Sequence, residues 1–187
     1  MGMISSLAGE SHGLAVGRAM VIQPEGTQEP SFMDSSVNDP FDLQRFVSAQ
    51  SPVIETVKAE LSAGFKRSHW MWFVFPQLSG LGKSATSRRY ALSGLAEARA
   101  YLAHPKLGER LRECTRLVLA IRGRTAQQIF GQVDACKFHS SMTLFSLASP
   151  TDPLFAEALA RYHGGRLDQE TLVRLDGSGE IPERPEA

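Results

Sequence analysis

Three times in this chain a residue able to cap a helix is followed at once by proline at the head of an apolar-periodic stretch: Asp39–Pro40, Ser51–Pro52 and Asp152–Pro153. The pairing dictates helix starts. The side-chain oxygen satisfies a free backbone N–H, and proline at the first helical position has no donor to lose and a φ already suited to the helix. Between these starts the punctuation continues. In "SPVIETVKAELSAG", Val53, Ile54, Val57 and Leu61 share one face, and Gly64 can end the element. "LAEARAYLAHP" stops at His104–Pro105, and "PKLGERLRECTRLVLAI" carries Leu107, Leu111, Cys114, Val118 and Ile121 on one stripe. "TAQQIFG" has the capping-box pattern, Thr125 with Gln128. "DPLFAEALARYHGG" closes at Gly164–Gly165, and a short helix is expected after Asp168.

Strand signals are poor. Alternation is rare, and no Asn-Gly or Asp-Gly pair joins two β-branched runs. The expected fold class is therefore mainly α: a single compact multi-helix domain with short loops and a flexible N-terminal leader. Residues 1–37, rich in Gly, Ser and Pro without an apolar period, read as that leader. Residues 38–175 read as the domain, and 176–187, "DGSGEIPERPEA", as a flexible tail.

An apolar share of 42% suffices for an ordinary core, and 20 basic residues balance 20 acidic ones. Such a balance lacks the broad basic face that duplex nucleic acid requires. The longest apolar run, WMWFVF, is far too short to span a bilayer, so no membrane partner is expected. No basic-then-apolar signal pattern opens the chain. Cys114 and Cys136 have neither metal-like nor redox-motif spacing, which points to free thiols and a cytoplasmic protein. No His-x-x-x-His or carboxylate-rich ligand set occurs, so neither a metal site nor a cofactor is expected.

Chemistry-bearing residues concentrate in two places. "FKRSHWMWFVFPQ", Phe65 to Gln77, holds both tryptophans. Periodicity alone leaves its apolar run open between buried strand and buried helix. Lys66, Arg67 and His69 would form a cationic rim beside Trp70 and Trp72, suited to a phosphate and a flat ring. Tryptophans at i and i+2 cannot share one helical face, so one belongs to the core and the other to a surface. Large aromatics are first of all core material, and a wholly buried run is the rival reading. Gln77 closes the segment and joins the candidate ligand-binding set. "GLGKS", Gly80 to Ser84, resembles the end of a phosphate-binding loop, but Gln77 stands where the full pattern needs glycine. A glycine turn with Ser84 as helix cap is the better reading, with Lys83 left to meet an anion.

The second place is "GQVDACKFHSSMTLF", Gly131 to Phe145. Asp134 and Lys137 are three apart and face together on a helix. Ser140 and Ser141 beside an apolar run need partners if buried, either as caps or as anchors for phosphate or ribose. His139 and Asp134 lie near these hydroxyls, but no nucleophile-elbow pattern supports serine hydrolysis.

Together "DPFDLQRFVSAQ", "HWMWFVFPQLSGLGKSATSRRYAL", "EARAYLAHPKLGERLRECT" and "IFGQVDACKFHSSMTLF" resemble the bacterial domain-of-unknown-function 1810 family, sometimes mislabelled calpastatin. The resemblance covers about Asp39 to Leu175. It implies a compact, mainly helical domain without an established activity. Its usual lysine two residues after a glycine corresponds to Lys66 after Gly64, and the leader lies outside the family pattern. A more distant similarity of fold is to the helical NADAR family, whose members act on ADP-ribose linkages. These resemblances, joined to the residues, suggest an N-glycosidase-type hydrolase for a nucleotide-derived or ADP-ribosyl compound. In that reading Asp134 and Lys137 are the candidate catalytic pair. Lys66, Arg67, His69, Trp70, Trp72, Gln77, Lys83, Ser140 and Ser141 are the candidate ligand-binding residues. The alternative is a non-catalytic module that binds a nucleotide or a peptide with the same pocket. The expected partner is a small-molecule ligand that could carry phosphate, or a peptide in the module reading.

Overall fold

The structure, a computed structural model, describes residues 39–179. The expected leader and most of the expected tail lie outside the described residues. Within them the chain forms ten helices and no strand. These are α1 (Gln44–Gln50), α2 (Ile54–Ser62), α3 (Met71–Val74), α4 (Ala85–Arg89), α5 (Leu95–Ala103), α6 (Leu107–Ala120), α7 (Ala126–Phe130), α8 (Gln132–Ala148), α9 (Pro153–His163) and α10 (Gln169–Gly177). A single parallel bridge, Leu78 with Leu92, pins the loop between α3 and α5.

The long α8 is the axis. It packs against α3, α5, α7, α9 and α10, and every residue from Ser140 to Phe145 is buried. A helix with partners on every side needs no polar face, which is why its apolar residues follow no clean stripe. Phe138 on α8 organises the aromatic centre. It stacks on Phe130 at 4.9 Å and meets Phe75 edge-on at 5.1 Å. The more amphipathic α6 buries Leu107, Leu111, Cys114 and Val118 against α2, α5 and α9.

Most of the punctuation acts as expected. Thr125 and Gln128 form a complete capping box at α7. Asp152 caps α9 ahead of Pro153, and Gly164 ends it at φ 61 in the left-handed region. Ser84 and Asp168 cap α4 and α10.

Two starts depart from expectation. Asp39 does accept the amides of Leu43 and Gln44 at 2.8 and 2.9 Å, but Asp42 at φ 49 interrupts the turn. The helix proper therefore begins only at Gln44. Ser51 caps nothing ahead of it. Its hydroxyl donates back to the Val47 carbonyl at 2.7 Å, closing α1, and α2 starts at Ile54 without a side-chain cap. His104 closes α5 as expected, its amide on the Ala100 carbonyl, and its Nδ1 also accepts the amides of Lys106 and Leu107 at the head of α6.

Candidate functional site

The aromatic run resolves into one helical turn. Proline 76 drives the residue before it out of the helical region, and Phe75 sits at φ −121, ψ 70. The turn starts at Met71, so Trp70 and Trp72 point differently, as their spacing requires. Trp70 is 1% exposed. Trp72 is half-buried.

The loop before this turn is held at three points. Gly64 leaves α2 at φ 71, where a Cβ would also meet Ile121 at 3.3 Å. The Lys66 amide donates to the Ile129 carbonyl at 2.8 Å. The third point is Glu60, on the last turn of α2. Its carboxylate accepts the amides of Arg67 and Ser68, the Ser68 hydroxyl at 2.7 Å and the Trp70 indole N–H at 2.8 Å. Burial works against its charge, but these donors outweigh it and lower the carboxyl from 4.5 to about 2.

So anchored, the loop delivers Lys66 to α8. Lys66 Nζ lies 2.6 Å from one oxygen of Asp134, and Lys137 Nζ lies 2.7 Å from the other. Both ammoniums also stand over indoles: Lys66 at 5.2 Å from the Trp70 ring centre, Lys137 at 4.5 Å from that of Trp72. The Lys66, Asp134 and Lys137 side chains are 9%, 17% and 17% exposed. Gly131, at φ 82, separates α7 from α8 and places Asp134 in the first turn of α8, where the helix dipole also favours negative charge. Burial raises the Asp134 pKa, but the hydrogen bonds from Lys137 and Lys66 prevail and hold it below its ordinary value of 3.8. The result is a carboxylate whose charged form is favoured by two ammoniums, in a cluster of net positive charge beside the half-buried Trp72 indole.

Thus Lys66, Trp70, Trp72, Asp134 and Lys137, from two distant stretches of the chain, form one cluster. Within the cluster Trp70 is in the core with its N–H on Glu60, so it offers no free face for stacking. The other candidates lie differently. Arg67 and His69 are exposed at the rim; the Arg67 guanidinium lies 6.0 Å over the Phe65 ring, and His69 makes no hydrogen bond or ion pair among the described residues. Gln77 is committed through its carbonyl to Leu92 in the bridge region. Lys83 is exposed, and no hydrogen bond or ion pair joins it to the cluster. Ser140 faces away from Asp134 around α8: its hydroxyl binds Asp168 Oδ2 at 2.9 Å and ties α8 to the head of α10. Ser141 lies on the Asp134 side, fully buried, and its hydroxyl has no partner among the described residues.

Glu60 is the residue that sequence reasoning missed. No spacing rule marks a lone glutamate near a helix end as the anchor of a loop that follows it. A cavity of about 240 Å³ between α2 and α6 is lined mostly by charged residues, among them Lys58, Arg110 and Glu113. No member of the cluster lines it, and Lys58 is already paired with Glu113 at 2.8 Å. Among the described residues no group of three metal-ligating side chains comes together, and no helix is long and apolar enough to cross a membrane.

A family model described as a protein of unknown function (DUF1810) matches residues 40–175. Among solved structures the chain is similar to the conserved hypothetical protein Rv1873 from Mycobacterium tuberculosis. The two share 54% identity over 74% of this chain and 99% of that one, with a TM-score of 0.73. No curated protein matches the chain.

Proposed function

Because the chain belongs to the DUF1810 family of proteins of unknown function, its activity has to be argued from its own residues, and we propose that it is an N-glycosidase-type hydrolase of a nucleotide-derived or ADP-ribosyl compound. One observation carries the reading: the Asp134–Lys137 pair and the tryptophan segment share a single cluster, joined through Lys66 at 2.6 Å. Lys66 and Lys137 would bind the ligand's phosphates, with Arg67 at the rim. Trp72 would stack on the flat group. Asp134 would stabilise the oxocarbenium ion that develops as the glycosidic bond breaks.

A second reading, a non-catalytic binding module for the same class of ligand, is favoured by one feature. Both oxygens of Asp134 are already engaged by lysines, which leaves it a poor general base.

Tryptophan emission together with product analysis separates these readings. The Trp70→Phe variant leaves Trp72 as the sole reporter. Titration with ADP-ribose, NAD, ATP and GTP, corrected for inner-filter absorption, should give saturable quenching by at least one of them. Chromatography of the same mixtures should then show a released base. Quenching without release selects the binding module. Neither quenching nor release sinks both readings.

A further inference from the structure

The next step rests on the hydrolase reading and narrows its substrate. When an N-glycosidic bond breaks, the bonding electron pair stays with the departing base. A neutral purine or pyrimidine leaves well only if an acid protonates it during the step. An N-ribosyl pyridinium needs no such proton, because the electron pair neutralises its own ring nitrogen.

The supply of protons in the cluster therefore discriminates between substrates. Asp134 has none to give: each of its oxygens already accepts a lysine, at 2.6 and 2.7 Å. Glu60 is likewise a pure acceptor, surrounded by four donors. The two ammoniums both point into Asp134. Each is already held to that carboxylate, at 2.6 and 2.7 Å, rather than aimed at a leaving group. His69 stands exposed, without a hydrogen bond to any of them. Trp72, by contrast, has a ring face that attracts positive charge, as Lys137 at 4.5 Å demonstrates.

From this arrangement we infer that the site is built for phosphorylated N-ribosyl pyridinium compounds, cleaved without a general acid. The C–N bond breaks heterolytically and the ring departs as a neutral pyridine. The ionised Asp134 faces the oxocarbenium carbon. Water adds to that carbon and releases one proton to solvent, so a cation and water give a neutral pyridine, a free anomeric hydroxyl and a proton.

The test uses the full chain with nicotinamide mononucleotide, inosine 5′-monophosphate and cytidine 5′-monophosphate, following the free base by chromatography. General acid catalysis is worth about 10²–10⁴-fold. Nicotinamide release should therefore exceed release of either neutral base by at least about 100-fold beyond any difference between their uncatalysed rates. In a series of substituted pyridinium nucleotides the rate should rise as the leaving pyridine becomes less basic. It should not fall as pH rises from 6 to 9, since no acid has to stay protonated. Comparable excess release from the neutral nucleotides, or a rate that falls with rising pH, would overturn this inference and leave the hydrolase reading standing. Release from none of the three overturns this inference, and the hydrolase reading falls with it only if NAD, ATP and GTP likewise release no base. All three measurements use the unmodified protein, so none depends on whether an Asp134 variant folds.

Discussion

Asp134 shows how a single residue acquires its character from what surrounds it. In the sequence it is one acid three residues before a lysine, a pattern that on an exposed helix is worth little. In the fold it is the shared counter-ion of two lysines and only 17% exposed. Removing one partner of a buried pair strands the other charge. Asp134→Ala should therefore cost about 3 kcal/mol in urea unfolding, and a cost below about 1 kcal/mol would mean the lysines find water instead. Glu60 makes the same point for a hydrogen-bonded carboxylate. Glu60→Gln keeps the shape but replaces one acceptor oxygen with a donor facing donors, and should cost about 1–3 kcal/mol. The sign of its pH dependence follows from its lowered pKa. Its stabilisation is present above about 4.5, the ordinary value, and is lost as pH falls toward about 2. Acid unfolding of the parent and of Glu60→Gln should converge across that window, and parallel curves would contradict it. Asp134 and Lys137 were legible as a pair because both lie on one helix. Glu60 was not, because its partners come from the next loop.

At the scale of elements, caps divide into those set by local chemistry and those set by what comes next. The Thr125–Gln128 box closes within four residues, so α7 is readable from its own sequence and Thr125→Ala should lower stability by about 1 kcal/mol. Ser51 looked like an equally good cap, but its hydroxyl turns back to Val47. Ser51→Ala should consequently stay within about 0.5 kcal/mol of the parent in the same chemical denaturation, whereas loss of a true N-cap would cost about twice that or more. The aromatic run is the other instructive element. Periodicity left strand and helix open over six residues, and Pro76 decided it by limiting the helix to one turn. That turn is what separates the roles of the two tryptophans, one in the core and one beside Lys137.

At the scale of the whole molecule, the middle of α8 meets the end of α9 and the head of α10 through pairs that no single segment predicts. His139 and His163 stack at 3.9 Å with their rings within 3° of parallel. His139 Nε2 contacts the Arg166 carbonyl at 2.7 Å, while His163 Nε2 is buried without a partner. Burial first, then the His139 and Arg166 charges, push His163 down to about 4, with Asp168 opposing. The unfolded chain therefore binds its proton more readily than the folded one between about 6.5 and 4. Stability should fall as pH drops through that interval, and His163→Phe should flatten the fall as followed by thermal unfolding; an unchanged slope would assign the acid sensitivity elsewhere. The sequence by itself determined the helical class, most helix boundaries and the identity of the charged and aromatic residues worth examining. Those depend on caps, prolines and periodicities that act over a few residues. Only the tertiary structure decided which of the candidates meet. It brought Lys66 and Trp72 to Asp134 and Lys137, turned Ser140 toward Asp168, buried Trp70 on Glu60 and left Lys83 outside. The physical reason is range: a side chain's nearest charge or ring is chosen by the packing of helices around α8, which sequence spacing does not encode.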